Sequence, residues 1–551
     1  ESADGSSGYV VPAAVRLGRG LDVAALERAW LDVVERHEIL RTRYGSDGER
    51  VWQRVDAPDP VRDGIRVREI GPGEVEEAVA SAVHDRFDLA EEVVRPILLR
   101  TPSDHVFVLV VHHIACDGWS MMLLDRDLDA AYAARSCGSA PPWQLLSLQF
   151  ADVAAQQVLR AADPVATTEQ IAFWRDRLRD VTAGCPQIPA VEDGHGRAGY
   201  VAFDIDTRVH QAVLALAQRL RTTPFVVLHS AVAVVLAGLG AGRRFSMGAA
   251  VGARDEAGLA DMVGPLVNTI VLVSDVDPGG TFTELVTQLR ESDLTAMRNS
   301  GLGFDSVVEA LNPSREPGRT PWIDVLISMG AGERGFVPDY ASHGASGATL
   351  ELPHLPGVRQ QPTPAPAARF QLVWALTERF RAGNPDGIAG ALEYAAEVGA
   401  ENAERLVRRL ESVLRQVATR PDAPLAGTDF LLPGEAADMV GPASVGGATI
   451  ASLWNTQVEN DPQAVALIAG QDRWTRAELD ERARRWAALL RSRGVAIQDV
   501  VACALPRGVD QVAAFLGVSL LGAVWQPIDR RYPDERQRMV VEDTSAAIVI
   551  T

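Results

Sequence analysis

The feature that most constrains this chain is an unbroken apolar run, Val106-Phe107-Val108-Leu109-Val110-Val111, which ends directly in two histidines, His112 and His113. The run is short, β-branched and uninterrupted by charge, so it reads as a buried strand. The two imidazoles therefore sit where a strand leaves a core and enters a loop, with Asp117 and Gly118 following within one turn. Side chains of a strand alternate between its faces, so neighbouring histidines point in opposite directions while the backbone stays extended. One can face a cavity while the other is held in the fold, which is a simple way to build a single positioned base.

A strand buried on both faces needs a large core, and 551 residues with 47% hydrophobic content supply more than one. No apolar run is read as long enough to span a bilayer and no signal-peptide pattern is present, so a cytoplasmic protein without a membrane partner is expected. The net charge of −20 gives no support for nucleic-acid binding. Cys116, Cys137, Cys185 and Cys503 are scattered without ligand-like spacing, so neither a disulfide framework nor a metal site is expected. All 53 basic residues are arginines, which excludes lysine-based catalysis within the chain and fits a GC-rich, bacterial genome. The chain opens on Glu1 and closes on a strand-like Ile548-Val549-Ile550-Thr551, so both ends read as cut from something longer.

Asp22 is placed to cap a helix whose apolar positions are Val23, Leu26, Trp30 and Val33. That helix ends near Arg36-His37-Glu38, and Leu40 to Tyr44 read as extended. A second helix is predicted over Met121 to Ala134, and Trp174 and Leu178 are read as closing the first half. Val201, Phe203 and Ile205 alternate as in a half-buried strand. Pro224 opens a helix apolar all round to Leu239, hence a buried one. Strands are predicted at Phe245–Val251, Ile270–Val273 and Trp322–Ser328, and an amphipathic helix at Glu401–Val417 carries Leu406, Leu410, Val413 and Val417 on one face. Pro, Gly, Ala and Asp dominate the stretch to Gly447, within which Phe430-Leu431-Leu432 is an apolar patch able to dock it. The organisation predicted is 1–180 and 181–430 as two lobes, 431–449 as a linker, and 450–551 as a further unit.

His112-His113-Ile114-Ala115-Cys116-Asp117-Gly118 has the HHxxxDG pattern of nonribosomal peptide synthetase condensation domains, and other motifs agree with it in order. Arg36 to Thr42 resembles the family's RHExLRT, Gln149-Phe150-Ala151-Asp152 its QYAD segment, and Val263 to Thr269 its VGxxVNT. Farther along, Trp474 to Leu479 and Leu521 to Asp529 resemble the first two core motifs of an adenylation domain, the second usually LKAGxAYVPID. The phosphate loop that should follow lies beyond Thr551, so this fragment is not expected to activate an amino acid alone.

The resemblance implies an α/β (α+β) fold: a two-lobed, V-shaped pseudo-dimer like chloramphenicol acetyltransferase, with a tunnel between the lobes and part of an adenylation subdomain behind it. It implies amide formation between a donor aminoacyl or peptidyl thioester and an acceptor aminoacyl thioester. Both ride on the phosphopantetheine arms of upstream and downstream carrier proteins, with no cofactor bound by the chain itself. Antibiotic or other secondary-metabolite biosynthesis is the implied setting, and the rest of the adenylation domain a partner. His113 is the expected orienting or deprotonating group for the amine, and the Gly118 N–H the expected oxyanion donor. His112 is expected to face away and bond backbone. Asp117 is expected to pair with Arg254, while Trp119, Ser120 and Asn268 are placed on the tunnel, Asn268 either orienting a substrate arm or holding a loop. Arg36 and His37 are read as structural, and Ala115 with the Trp143 to Gln149 stretch resembles domains taking a D-configured donor. The family's opening SxAQxRxW motif is absent, and Asn299 to Asp305 departs from its HQDxPFE. An epimerization domain shares the histidine motif but is disfavoured by an adenylation start directly downstream. A recruitment module on the same fold usually has a degraded histidine motif, whereas this one is intact.

Overall fold

The computed structural model describes residues 9–551 except 49, 72, 145, 162, 189–197, 253, 255–257, 314–318, 331–351, 365–367, 433, 434 and 436–448. The opening octapeptide and most of the expected linker thus lie outside the described residues. The chain divides into two compact units, Glu1–Leu432 and Pro433–Thr551.

The first lobe of the larger unit runs through β1 (Val10–Leu17), α1 (Val23–Arg36), the hairpin β2 (Thr42–Ser46) and β3 (Val51–Val55), β4 (Arg66–Glu69), α2 (Val75–His84), β5 (Val94–Arg100), β6 (His105–His112), α3 (Gly118–Ser136), α4 (Phe150–Ala161) and α5 (Pro164–Arg177). Asp22 caps α1 by accepting from the Ala25 N–H. Between α1 and β2, Glu38–Arg41 forms a 3-10 turn, so Leu40 and Arg41 are not extended as predicted. In the sheet, β6 is central and pairs antiparallel with both β1 and β5. The apolar run is explained by this position. Val106, Val108 and Val110 pack toward α2, while Phe107, Leu109 and Val111 pack toward α1 and α3, so both faces of β6 are covered.

The second lobe continues through β7 (Thr182–Ala183), β8 (Gly199–Ile205), α6 (Thr207–Arg219), α7 (Pro224–Leu236), β9 (Arg244–Gly252), β10 (Val267–Asp275), α8 (Phe282–Arg298), α9 (Phe304–Leu311), β11 (Val325–Gly330), β12 (Arg359–Gln360), β13 (Leu372–Arg381), β14 (Asn384–Tyr394) and α10 (Ala400–Thr419). Its sheet runs β10-β9-β11-β13-β14-β8, with β7 beside β9. The strand predicted from Trp322 starts at Val325, because Trp322 takes a left-handed φ of 61° in a tight turn. With the π-turn that follows it, α7 gives an 18-residue stretch, Pro224–Ala241, long and apolar enough to cross a membrane, which the sequence reading did not find. Residues Val226 to Leu236 are all buried in the lobe's own core, where burial of each large apolar side chain contributes roughly 2 kcal/mol.

Two segments cross the expected lobe boundary. Trp174 and Leu178 do not close the first core; they are buried in the second, and the Trp174 indole N–H donates to the Asn299 carbonyl at 3.1 Å. In the other direction, a strap comes back from the second lobe: Leu352 and Leu355 are buried in the first lobe's core, and β12 joins its sheet as an edge strand against β1. After α10, Phe430 packs on the second core with its ring against Gly238, as expected of a docked linker start.

The smaller unit holds α11 (Ile450–Asn460), the hairpin β15 (Val465–Ala469) and β16 (Asp472–Thr475), α12 (Arg476–Ser492), β17 (Val500–Cys503), α13 (Val509–Leu520), β18 (Val524–Pro527), α14 (Asp534–Asp543) and β19 (Ile548–Ile550). The strands β18, β17 and β19 pair in parallel. Thr475 and Glu478, from the first adenylation-like motif, form a capping box at the start of α12.

Candidate active site

His112 is the last residue of β6 and shares the parity of Val106, Val108 and Val110, so its ring turns toward α2. It lies edge-on to Phe87 at 5.8 Å and stacks with Tyr9 at 6.4 Å between centroids. Its Nδ1 accepts from the Ile114 N–H at 3.1 Å, which fixes its place in the fold. His113 turns the other way. Its backbone N–H still donates to the Tyr9 carbonyl at 2.7 Å, extending the pairing by one residue, and its ring folds over the loop so that Nδ1 lies 3.3 Å from the Cys116 carbonyl. A carbonyl can only accept, so Nδ1 carries the proton and Nε2 presents a lone pair. Burial, and then the Arg369 guanidinium, hold His113 down to about 4. Burial and the same arginine hold His112 at about 4 as well. At neutral pH the site therefore offers an uncharged imidazole whose Nε2 accepts a hydrogen bond.

The loop is stopped by α3, which begins at Gly118 rather than Met121. Asp117 is the N-cap: it accepts from the Ser120 N–H at 2.8 Å, and the Ser120 side chain reaches back to the Asp117 N–H. Gly118 is thus the first helical residue, where the backbone N–H has no acceptor within the helix. Asp117 also receives Arg254 Nη2 on both carboxylate oxygens, at 2.8 and 2.9 Å, and the Leu266 N–H at 3.1 Å. Arg254 comes from the second lobe, so the pair suggested by the sequence is formed across the lobes.

Ser120 does not face an open channel as placed by the sequence reading. Ser120 is fully buried, its hydroxyl donating to Asp117 Oδ1 at 2.7 Å and accepting from the Gly264 N–H at 3.0 Å, which makes it part of the same clasp. Asn268 spends its side-chain amide on one loop. Its Nδ2 donates to the Ser300 and Leu302 carbonyls at 2.8 and 3.1 Å, and its Oδ1 accepts from the Phe304 N–H at 3.3 Å. Of the two readings left open, the structure takes the loop-holding one. Trp119 is partly exposed and donates its indole N–H across the lobes to the Ala260 carbonyl at 3.1 Å.

Two further motifs bind each other away from His113. Arg36 Nε and His37 Nε2 both lie 2.9 Å from Asp127 Oδ2. Gln149 donates to the Arg36 carbonyl at 2.9 Å and accepts from the Glu38 N–H at 3.2 Å. Sequence reasoning missed Tyr9 and Arg369. The Arg369 guanidinium sits 4.2 Å above the Tyr9 ring, 256 residues in sequence from His113, with no motif to signal the approach. Among the described residues, no group of three or more metal-ligating side chains converges.

The chain matches the family model described as condensation domain over residues 1–440, and that of AMP-binding enzymes over 454–551. It is 35% identical over 98% of its length to a probable non-canonical nonribosomal peptide synthetase of Salinispora arenicola, and 32% identical over 98% to a dimodular nonribosomal peptide synthase of Bacillus subtilis. It spans only 7% and 23% of those two proteins. Among solved structures, the X-domain from teicoplanin biosynthesis superposes with a TM-score of 0.67 at 32% identity, covering 77% of this chain and 93% of that one. A four-domain nonribosomal peptide synthetase bound to AMP and glycine shares the fold over 99% of this chain and 42% of its own, with a TM-score of 0.70 at 20% identity. An inward-turned second histidine, an aspartate clasped across two lobes and a trailing α/β unit thus belong to one family: the chain is a condensation domain of the nonribosomal peptide synthetases, followed by the N-terminal fragment of an adenylation domain.

Proposed function

We propose that residues 1–432 form an amide bond between two carrier-bound thioesters. The observation that carries this reading is His113 Nε2, an unprotonated acceptor at the end of a rigid strand, with its tautomer set by the Cys116 carbonyl. The acceptor's α-amine donates an N–H to Nε2, which aims the nitrogen lone pair at the donor's thioester carbonyl. The C–N bond forms, the C–S bond breaks, and the proton shed by nitrogen leaves with the departing thiolate as a free thiol. The amine titrates near ~8 when free, so a useful neutral fraction exists without a strong base. An imidazole held at about 4 is too weak to strip an ammonium. Its contribution is orientation, and holding two tethered reactants together supplies much of the rest. The Gly118 N–H, which has no acceptor within α3, is the group we assign to the oxyanion.

On this reading the partners are an upstream donor carrier, a downstream acceptor carrier and the remainder of the adenylation domain, in the bacterial cytoplasm. The test is His113→Ala in the complete module with both carriers loaded. We expect dipeptide formation, followed by mass spectrometry, to fall by ~100-fold or more; an undiminished rate overturns the assignment.

A second reading, a non-catalytic platform that recruits another enzyme, draws on the 32% identity to the teicoplanin X-domain, a fold also solved in complex with OxyB. On that reading the wild-type module forms no dipeptide and His113→Ala changes nothing. The intact His113 and Gly118 favour the first.

A further inference from the structure

Arg369 is a cation that the second lobe brings to the His112–His113 end of β6. It precedes β13, and its guanidinium lies 4.2 Å over the Tyr9 ring and 5.5 Å from that of Phe370. Tyr9 in turn is joined to both histidines: its ring stacks on His112 and its carbonyl accepts the His113 N–H. Three segments far apart in sequence thus place a positive charge beside the two histidines, on an aromatic face and, among the described residues, without a carboxylate in an ion pair with it. A cation held by a ring keeps its full charge, because the ring's quadrupole attracts it without neutralising it. The other charged and titratable groups about His113 do little to offset it. Asp117 is already bonded to Arg254, and His112 is held uncharged. Arg369 also acts on the site electrostatically, being the largest cause after burial of the low proton affinity of His113.

We propose that Arg369 is a positioning residue of the condensation site, whose fixed charge makes the pocket admit the acceptor α-amine in its neutral form and exclude the ammonium. This rests on the amide-forming reading. A second positive charge brought beside the guanidinium is repelled, whereas a neutral amine is not. The bound amine therefore loses its proton to solvent before attack, and its lone pair is free when Nε2 of His113 takes up the N–H. Arg369 thus does for the nucleophile what a general base does elsewhere, without accepting the proton.

The experiment is single-turnover condensation across pH in the complete module with both carriers loaded, comparing wild type with Arg369→Gln and Arg369→Lys. We expect the midpoint of the rising limb to move up by roughly one pH unit in Arg369→Gln, the rate at high pH to be retained, and the lysine variant to restore the wild-type midpoint. An unmoved midpoint in Arg369→Gln overturns the proposal, as does a loss that is equal at every pH. A second readout, the NMR titration of the His113 ring in the same proteins, is independent of turnover. We expect its midpoint to rise in Arg369→Gln and return in Arg369→Lys, and no rise overturns the proposal. If wild type forms no dipeptide at any pH, the amide-forming reading fails, and this titration still decides whether Arg369 sets the charge of the site.

Discussion

Four histidines of the first lobe, His37, His105, His112 and His113, are held below their ordinary proton affinity, each first of all by burial. In the unfolded chain these imidazoles titrate near 6.5, and in the fold His112 and His113 titrate at about 4. Between those values the unfolded chain binds more protons, so stability is full above pH 6.5 and is lost as the pH falls toward 4. The paired carboxylates Asp63 and Asp127, held below 3.8, enter only at lower pH. Urea midpoints measured between pH 7 and 4 should therefore fall steadily, and a flat profile over that window would contradict the burial of these rings. At this scale the sequence was legible where a residue's role is set by its neighbours in the chain. The opposite facing of His112 and His113 follows from strand parity, and the Asp22 cap from its place before an apolar repeat. Ser120 was misplaced, and the two readings of Asn268 stayed open, because their partners, Gly264 and the loop at Ser300 to Phe304, are non-local. Arg369 was invisible for the same reason.

Among elements, the junction of α3 with the loop before β10 carries the most. Gly264 binds Ser120 through its backbone N–H, and a Cβ built on it would lie 2.5 Å from Phe150 of α4. Both demands, a backbone close to a serine and a flank close to a ring, leave room for no side chain. Gly264→Ala should cost about 1–3 kcal/mol through overpacking and slow dipeptide formation by opening the Asp117–Arg254 clasp. Denaturant unfolding and the carrier-based assay would check the two effects separately. Helix starts were read off well where a cap stood before an apolar repeat. The start of α3 was read three residues late because its first turn, Gly118-Trp119-Ser120, carries no apolar periodicity and is fixed by the capping box.

For the molecule as a whole, the two lobes share their cores. Leu355 is 4% exposed and belongs to the first lobe's core although it comes from the second half of the chain. Leu355→Ala should cost about 2–5 kcal/mol, and the loss should appear as a single shifted transition for residues 1–432 instead of a separate early melting of one lobe. Domain limits drawn from composition put the lobe boundary at residue 180. Composition cannot register that α5 already belongs to the second core, or that the strap at Leu352 to Gln360 returns to the first, since both exchanges are contacts between segments that look ordinary in sequence.

That exchange of segments bears on building hybrids from relatives. A junction at residue 180 would give the recipient's first lobe a foreign strap, with two core leucines and an edge strand of another lineage, and would separate the donor's second lobe from the helix bearing Trp174. A hybrid that keeps each lobe's packing intact must carry α5 with the second lobe and the segment 352–361 with the first. In this fold the heritable unit of exchange is the interleaved pair, and a single crossover cannot deliver half of it.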